Sequence, residues 1–62
     1  MKIKKHYHDS QTSDDLVFNS IEEVKNQFIE HGENEGWVNA FLSILLQQEK
    51  ASDRFAEYSI IE

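Results

Sequence analysis

Residues 2–8, Lys2-Ile-Lys-Lys-His-Tyr-His8, alternate in the manner of a half-buried strand, with Ile3 and Tyr7 on one side and Lys2, Lys4, His6 and His8 on the other. Lys5 interrupts the apolar side, which predicts a position at a sheet edge, where a charged side chain reaches water. The run 9–15, rich in Asp and Ser, reads as a polar loop. Leu16-Val-Phe18 is a short apolar run, read as a second strand that leads directly into a helix.

Ser20 and Glu23 have the spacing of a capping box, in which hydroxyl and carboxylate each satisfy a free backbone N–H, so the first helix begins there. At about 100° per residue, Ile21, Val24, Phe28 and Ile29 share one face, while Glu22, Glu23, Asn26 and Glu30 lie opposite. His31 falls in the last turn, where a cation suits the macrodipole, and Gly32 can take the left-handed conformation that closes a helix. Asn34 then caps a second helix, and Gly36 leaves space for a close approach beside Trp37. Glu33 and Glu35 lie near its N-terminus, where negative charge is stabilised by roughly 0.3–1 kcal/mol each. Residues 30–37 therefore read as the turn of an αα-hairpin.

The second helix, over about Glu35 to Lys50, is apolar around most of its circumference. Ala40, Ile44, Trp37, Phe41, Leu45, Val38, Leu42 and Leu46 cover an arc of about 240°, and only the strip Asn39, Ser43, Gln47 and Lys50 is polar. Such a helix is either central to its own fold or covered by a second chain. The C-terminal run from Arg54 to Ile61 places Ala56, Tyr58 and Ile60 on one side and Phe55 and Ile61 on the other. It reads as a strand, with a third helix as the alternative. Pairing antiparallel with residues 2–8, it would bring Lys2 and Lys4 near Glu57 or Glu62. The fold predicted is α+β: one small β(β)ααβ domain over residues 1–62, its helical hairpin packed on a two- or three-stranded antiparallel sheet.

Size and charge narrow the function. A chain of 62 residues buries a smaller share of its surface than a larger one does, and the absence of cysteine removes both disulfides and a thiolate zinc site as supports, which favours a partner chain. The Lys-rich start runs into His-Tyr-His-Asp rather than an apolar stretch, and no segment approaches membrane-spanning length, so a soluble cytoplasmic protein is expected. Residues 6–62 carry all 12 acidic side chains against three basic ones, a balance of −9. That charge disfavours direct DNA or RNA binding and favours attraction to a basic protein surface.

Candidate chemistry is sparse. His6 and His8 project to one side of a strand and could grip a cation, with Asp9 or His31 completing the site, which gives a metal-dependent sensor as the alternative function. Asp14-Asp15 and Glu33-Asn-Glu35 lack the alternating oxygen ligands and central glycine of a calcium loop. A helix-turn-helix over 20–50 would offer Val38, Ala40, Phe41 and Leu42 where bases need polar and basic side chains. His8, Asp9 and Ser10 are the residue types of an acyl-transfer triad, but adjacent in sequence they have the wrong geometry for a relay. No nucleophile elbow or glycine-rich phosphate loop is present, so neither an enzyme nor a cofactor is expected.

What remains is acid beside exposed apolar surface: Glu22, Glu23, Glu30, Glu33 and Glu35, with Leu42 and Leu46 nearby. Charge steers encounter and an apolar centre holds the complex. The expectation is a stoichiometric binding module, either a homodimer built on the second helix or an inhibitor or adaptor for a basic protein. In size, acidity and lack of catalytic residues the chain resembles the inhibitors that phages and mobile elements make against host nucleic-acid enzymes, some of which imitate the charge of DNA.

Overall fold

The computed structural model describes residues 1–9, 11 and 14–62. The elements run β1 (Ile3–Tyr7), β2 (Leu16–Phe18), α1 (Ile21–Glu30), α2 (Glu35–Gln48), β3 (Lys50–Ser52) and β4 (Ala56–Ile60). Part of the run 9–15 and Ser10 of the His-Asp-Ser triplet lie outside the described residues.

The strands form one antiparallel sheet in the order β2-β1-β4-β3, with both helices packed on one face. β1 pairs with β4 through Ile3 opposite Ile60, Lys5 opposite Tyr58 and Tyr7 opposite Ala56. On its other side β1 pairs with β2, Ile3 opposite Phe18. Alternation then sends Ile3, Lys5, Ala51, Ala56 and Tyr58 under the helices, all buried, and leaves Lys4, His6, Glu57, Ser59, Lys50 and Ser52 on the open face. Val24 and Phe28 of α1 and Val38, Phe41, Leu42 and Leu45 of α2 close the core over that face.

Two expectations need correction, on β1 and on the strand count, whereas the close approach expected at Gly36 is present. β1 is an interior strand, not an edge, because Lys5 points into the core instead of to water, only 5% exposed. The edges are the short strands β2 and β3, and shortness itself limits pairing with another chain. The sheet has four strands where two or three were predicted, because α2 stops at Gln48 and Lys50–Ser52 turns back as β3. Gly36 makes room for the cap of its own helix: a Cβ there would stand 3.1 Å from Asn34 Oδ1, which accepts a hydrogen bond from Trp37 N.

The helix ends otherwise follow the sequence closely. Ser20 Oγ accepts from Glu23 N at 3.2 Å, and the Glu23 carboxylate reaches back to Asn19 N, one residue before the expected partner. α1 closes in a Schellman motif: Gly32 has φ +83° and donates to Ile29 O, and Glu33 N donates to Phe28 O. The expected link between chain ends is present as Lys2 Nζ to Glu62 at 3.9 Å, whereas Glu57 pairs with Lys50.

Glu49 ends α2 in the same left-handed region, φ 62°, without being a glycine. A Cβ in that conformation costs roughly 1–2 kcal/mol, and a carboxylate at a helix C-terminus opposes the macrodipole. Glu49→Gly is therefore expected to stabilise the fold by about 1 kcal/mol, raising the melting temperature by roughly 4–8 °C in calorimetry. A lowered melting temperature would show that Glu49 makes a compensating contact.

Candidate functional site

The apolar arc of α2 is wider than the core that receives it. The sheet and α1 take up Val38, Phe41, Leu42 and Leu45, which span about 100° of the helix. Both flanks stay in water: Leu46, 50% exposed, on one side, and Trp37 and Ile44, 41% and 46% exposed, with Ala40 on the other. Of the two leucines predicted to meet a partner, Leu46 is on the surface, whereas Leu42 is a core residue, 6% exposed, and offers no surface.

The acidic residues stay in the helical layer. Glu22, Glu23, Glu30 and Glu35 are exposed and Glu33 is half-buried. They are not equally free: Glu23 is occupied by the α1 cap, and Glu35 lies 3.9 Å from Lys25 Nζ. Glu22 and Glu30 are the acids of this face that project from α1 opposite its buried residues Val24 and Phe28.

Beneath the helices lies a polar cluster that the strand pattern did not foretell. The Lys5 ammonium donates to Gln27 Oε1 at 3.0 Å, and Gln27 Nε2 donates to the Tyr58 hydroxyl oxygen at 3.2 Å. Lys5 Nζ also stands 4.7 Å from the ring centre of Tyr7 and 5.6 Å from that of Tyr58, within cation–π range. Among the described residues, none of the four ion pairs includes Lys5. Burial, reinforced by the nearby Asp53 charge, pushes the Tyr58 phenol well above its usual range, against the smaller opposing effect of the Gln27 hydrogen bond.

Two adjoining hollows open between the α1–α2 turn and the β3–β4 turn, sharing Glu33, Asp53, Arg54 and Phe55. One, of about 380 Å³, runs beside Trp37 and Ser52. The other, of about 450 Å³, extends inward past His31, Phe28, Asp9 and Tyr7 to Lys5. The β3–β4 turn is fixed by Asp53, whose Oδ1 accepts from both Phe55 N and Ala56 N at 2.7 and 2.8 Å. That leaves Arg54 and Phe55 at its tip, the guanidinium 5.0 Å from the ring centre. The available signal was Asp53-Arg54-Phe55 itself, an Asx-type turn with an exposed aromatic, which became legible only once β3 was recognised.

His6 and His8 are engaged separately. His6 Nδ1 lies 2.7 Å from Asp15 Oδ1, just before β2, whereas His8 Nε2 donates to Asp53 O at 2.9 Å, on the β4 side of β1. Gathering both imidazoles on one cation would break two hydrogen bonds to opposite neighbours of β1. Among the described residues, no group of three His, Cys, Asp or Glu side chains is placed to hold a metal.

The polar cluster makes two measurable demands on stability. Gln27→Leu strands the Lys5 ammonium and is expected to cost about 1–3 kcal/mol, whereas Lys5→Met in that background removes the stranded charge. The urea-denaturation cycle should show the double variant at least about 1 kcal/mol more stable than the sum of the single losses, and simple additivity would mean the two side chains do not interact. Tyr58 governs the alkaline limb. Above about pH 10 an unfolded tyrosine ionises while buried Tyr58 keeps its proton, so stability falls with rising pH, by up to about 1.4 kcal/mol per pH unit. Tyr58→Phe should show a shallower decline than the parent between about pH 10 and 11, and parallel curves would contradict the shift. No protein-family model, curated protein or solved structure matches this chain.

Proposed function

We propose that this chain is a non-enzymatic protein-binding module that acts by occupying a partner, as an inhibitor or adaptor for a basic, nucleic-acid-binding protein in the cytoplasm. The observation that supports this most is the apolar surplus of α2: its own sheet and α1 cover the middle of the arc and leave Leu46 on one flank and Trp37 and Ile44 on the other. Exposed apolar side chains on both flanks of one helix, next to an acidic layer, have the composition of an interface: an apolar centre with a charged margin.

Residues 20–49 hold six acids against Lys25 alone, a balance of −5 out of the chain's −6. A partner with a basic groove would be drawn to this layer first, and the apolar flanks would then decide how long it stays. In size, acidity and lack of catalytic motifs the chain resembles the inhibitors of phages and mobile elements, including those that imitate the charge of DNA, and that resemblance of type supports the reading. A second copy of the chain, docked through α2, would cover the same flanks.

Leu46→Asp and Ile44→Asp test the proposal, because both positions are about half exposed and each change should leave the fold's circular dichroism and melting intact. The parent chain should self-associate in sedimentation equilibrium or retain a basic protein from its host, and at least one variant should weaken that association by about tenfold or more. Association with a basic partner should also weaken as salt rises through the range in which the screening length shortens. A parent that is monomeric and retains nothing, or variants that associate as the parent does, would overturn the reading.

A further inference from the structure

We infer that the hollow over Lys5 is a binding site for a small aromatic monocarboxylate, a ligand class separate from the protein partner proposed above. The hollow reaches a buried cation, Lys5, 5% exposed, whose only hydrogen-bond acceptor among the described residues is the neutral amide oxygen of Gln27. An ammonium carries three N–H donors, and the faces of Tyr7 and Tyr58 supply weaker electrostatic compensation for the rest. Burying a charge without an opposite one in contact is costly, and a carboxylate reaching Lys5 would supply a counter-charge at contact distance and a charge-assisted hydrogen bond.

The walls set the rest of the ligand. Tyr7, Phe28 and Phe55 line the same space, and aromatic side chains accept a ring edge-on or offset. The volume of about 450 Å³ lies within the range for sites that hold small ligands. Arg54, over the Phe55 ring at the tip of the turn, adds a second cation at the mouth. Asp9, Glu33 and Asp53 also line the hollow, and their charge works against anions that carry more than one negative charge. The selection is therefore for a monoanion with a flat apolar body over a phosphate ester, although the chain as a whole repels both. Two of these acids accept hydrogen bonds within their own loops, Asp9 from Gln11 N and Asp53 from Phe55 N and Ala56 N, and among the described residues no acid stands within ion-pair distance of Lys5.

The site lies apart from Ile44 and Leu46, so it can stand or fall without the protein-binding reading. The experiment is a titration of the uniformly nitrogen-15-labelled chain, followed by amide chemical shifts, with phenylacetate as the probe, benzyl alcohol as the neutral analogue and phenyl phosphate as the dianion. Phenylacetate should give saturable shifts centred on Lys5, Tyr7, Phe28 and Phe55, and each analogue should bind at least about tenfold more weakly. Lys5→Met keeps the stem and removes the charge, and should weaken phenylacetate by about tenfold or more. Phe55→Ala, at an exposed position where folding is not at stake, should weaken it as well and serves if Lys5→Met does not fold. Absence of saturable shifts with phenylacetate, equal binding of benzyl alcohol, or a Phe55→Ala chain that binds as the parent does would each overturn the assignment.

Discussion

Tyr58 is the residue through which the layers of this protein are joined. Its ring is fully buried and packs on Phe18 of β2, Phe28 of α1 and Phe41 of α2, with ring centres 5.3–6.5 Å apart. Its hydroxyl, which would be costly without a partner, is met by Gln27 of α1, and Gln27 in turn holds Lys5 on the neighbouring strand. Polar partners are directional where apolar packing is not. The Lys5–Gln27–Tyr58 chain therefore fixes two registers together, that of β1 against β4 and that of α1 over the sheet. A slip of one residue between β1 and β4 would turn Lys4 or Ser59 inward, with no Gln27 to receive it.

Among the described residues, α2 has no such polar tie in the core. It is held by Val38, Phe41, Leu42 and Leu45, together with the stacking of Trp37 on Phe41 and the edge of Trp37 against Phe28. Its docking thus rests on apolar area and shape, the terms that a second molecule can extend without breaking anything. The open face of the sheet is different. Lys50 is paired with Glu57 and His6 with Asp15, while Lys4 enters no ion pair among the described residues. The helical side carries exposed apolar side chains of its own, Ile29, Trp37, Ile44 and Leu46.

The sequence carried the order of elements and most of their boundaries because the local signals were strong. Ser20-x-x-Glu23, Gly32 and Asn34 are residues whose side chains, or lack of one, act on the nearest backbone, and the structure uses all of them at helix ends. The periodicity of α1, α2 and the terminal strands likewise separated most of the core from the surface. Lys5 misled because a charge on an apolar side was read as a route to water, and the partners that make it a core residue are 22 and 53 positions away in the chain. β3 was hidden because Glu49 takes a left-handed conformation with no glycine to announce it, so the helical pattern seemed to run on to Lys50. Both errors hid the same thing. Without β3 there is no β3–β4 turn to bring Arg54 and Phe55 opposite the α1–α2 turn, and without a buried Lys5 the hollow between them has no floor.

Charge and apolar surplus reside on the same layer, and this coincidence is what gives the functional proposal its direction. Had the acids lined the open face of the sheet, a basic partner would be steered to mainly polar side chains, away from the apolar flanks of α2. Here the helical segment carries −5, and its exposed apolar residues Ile29, Trp37, Ile44 and Leu46 belong to the same two helices as Glu22, Glu30 and Glu35. Steering acts over roughly a screening length, about 8–10 Å at physiological salt, whereas apolar contact acts only after water is expelled. On one layer the two can act in succession on the same encounter, long-range attraction setting the orientation and α2 then supplying the contact. The constraint that leaves α2 half covered acts around the helix and not along it, since Val38 near its start and Leu45 near its end are both fully buried while only about 100° of its circumference meets the sheet and α1.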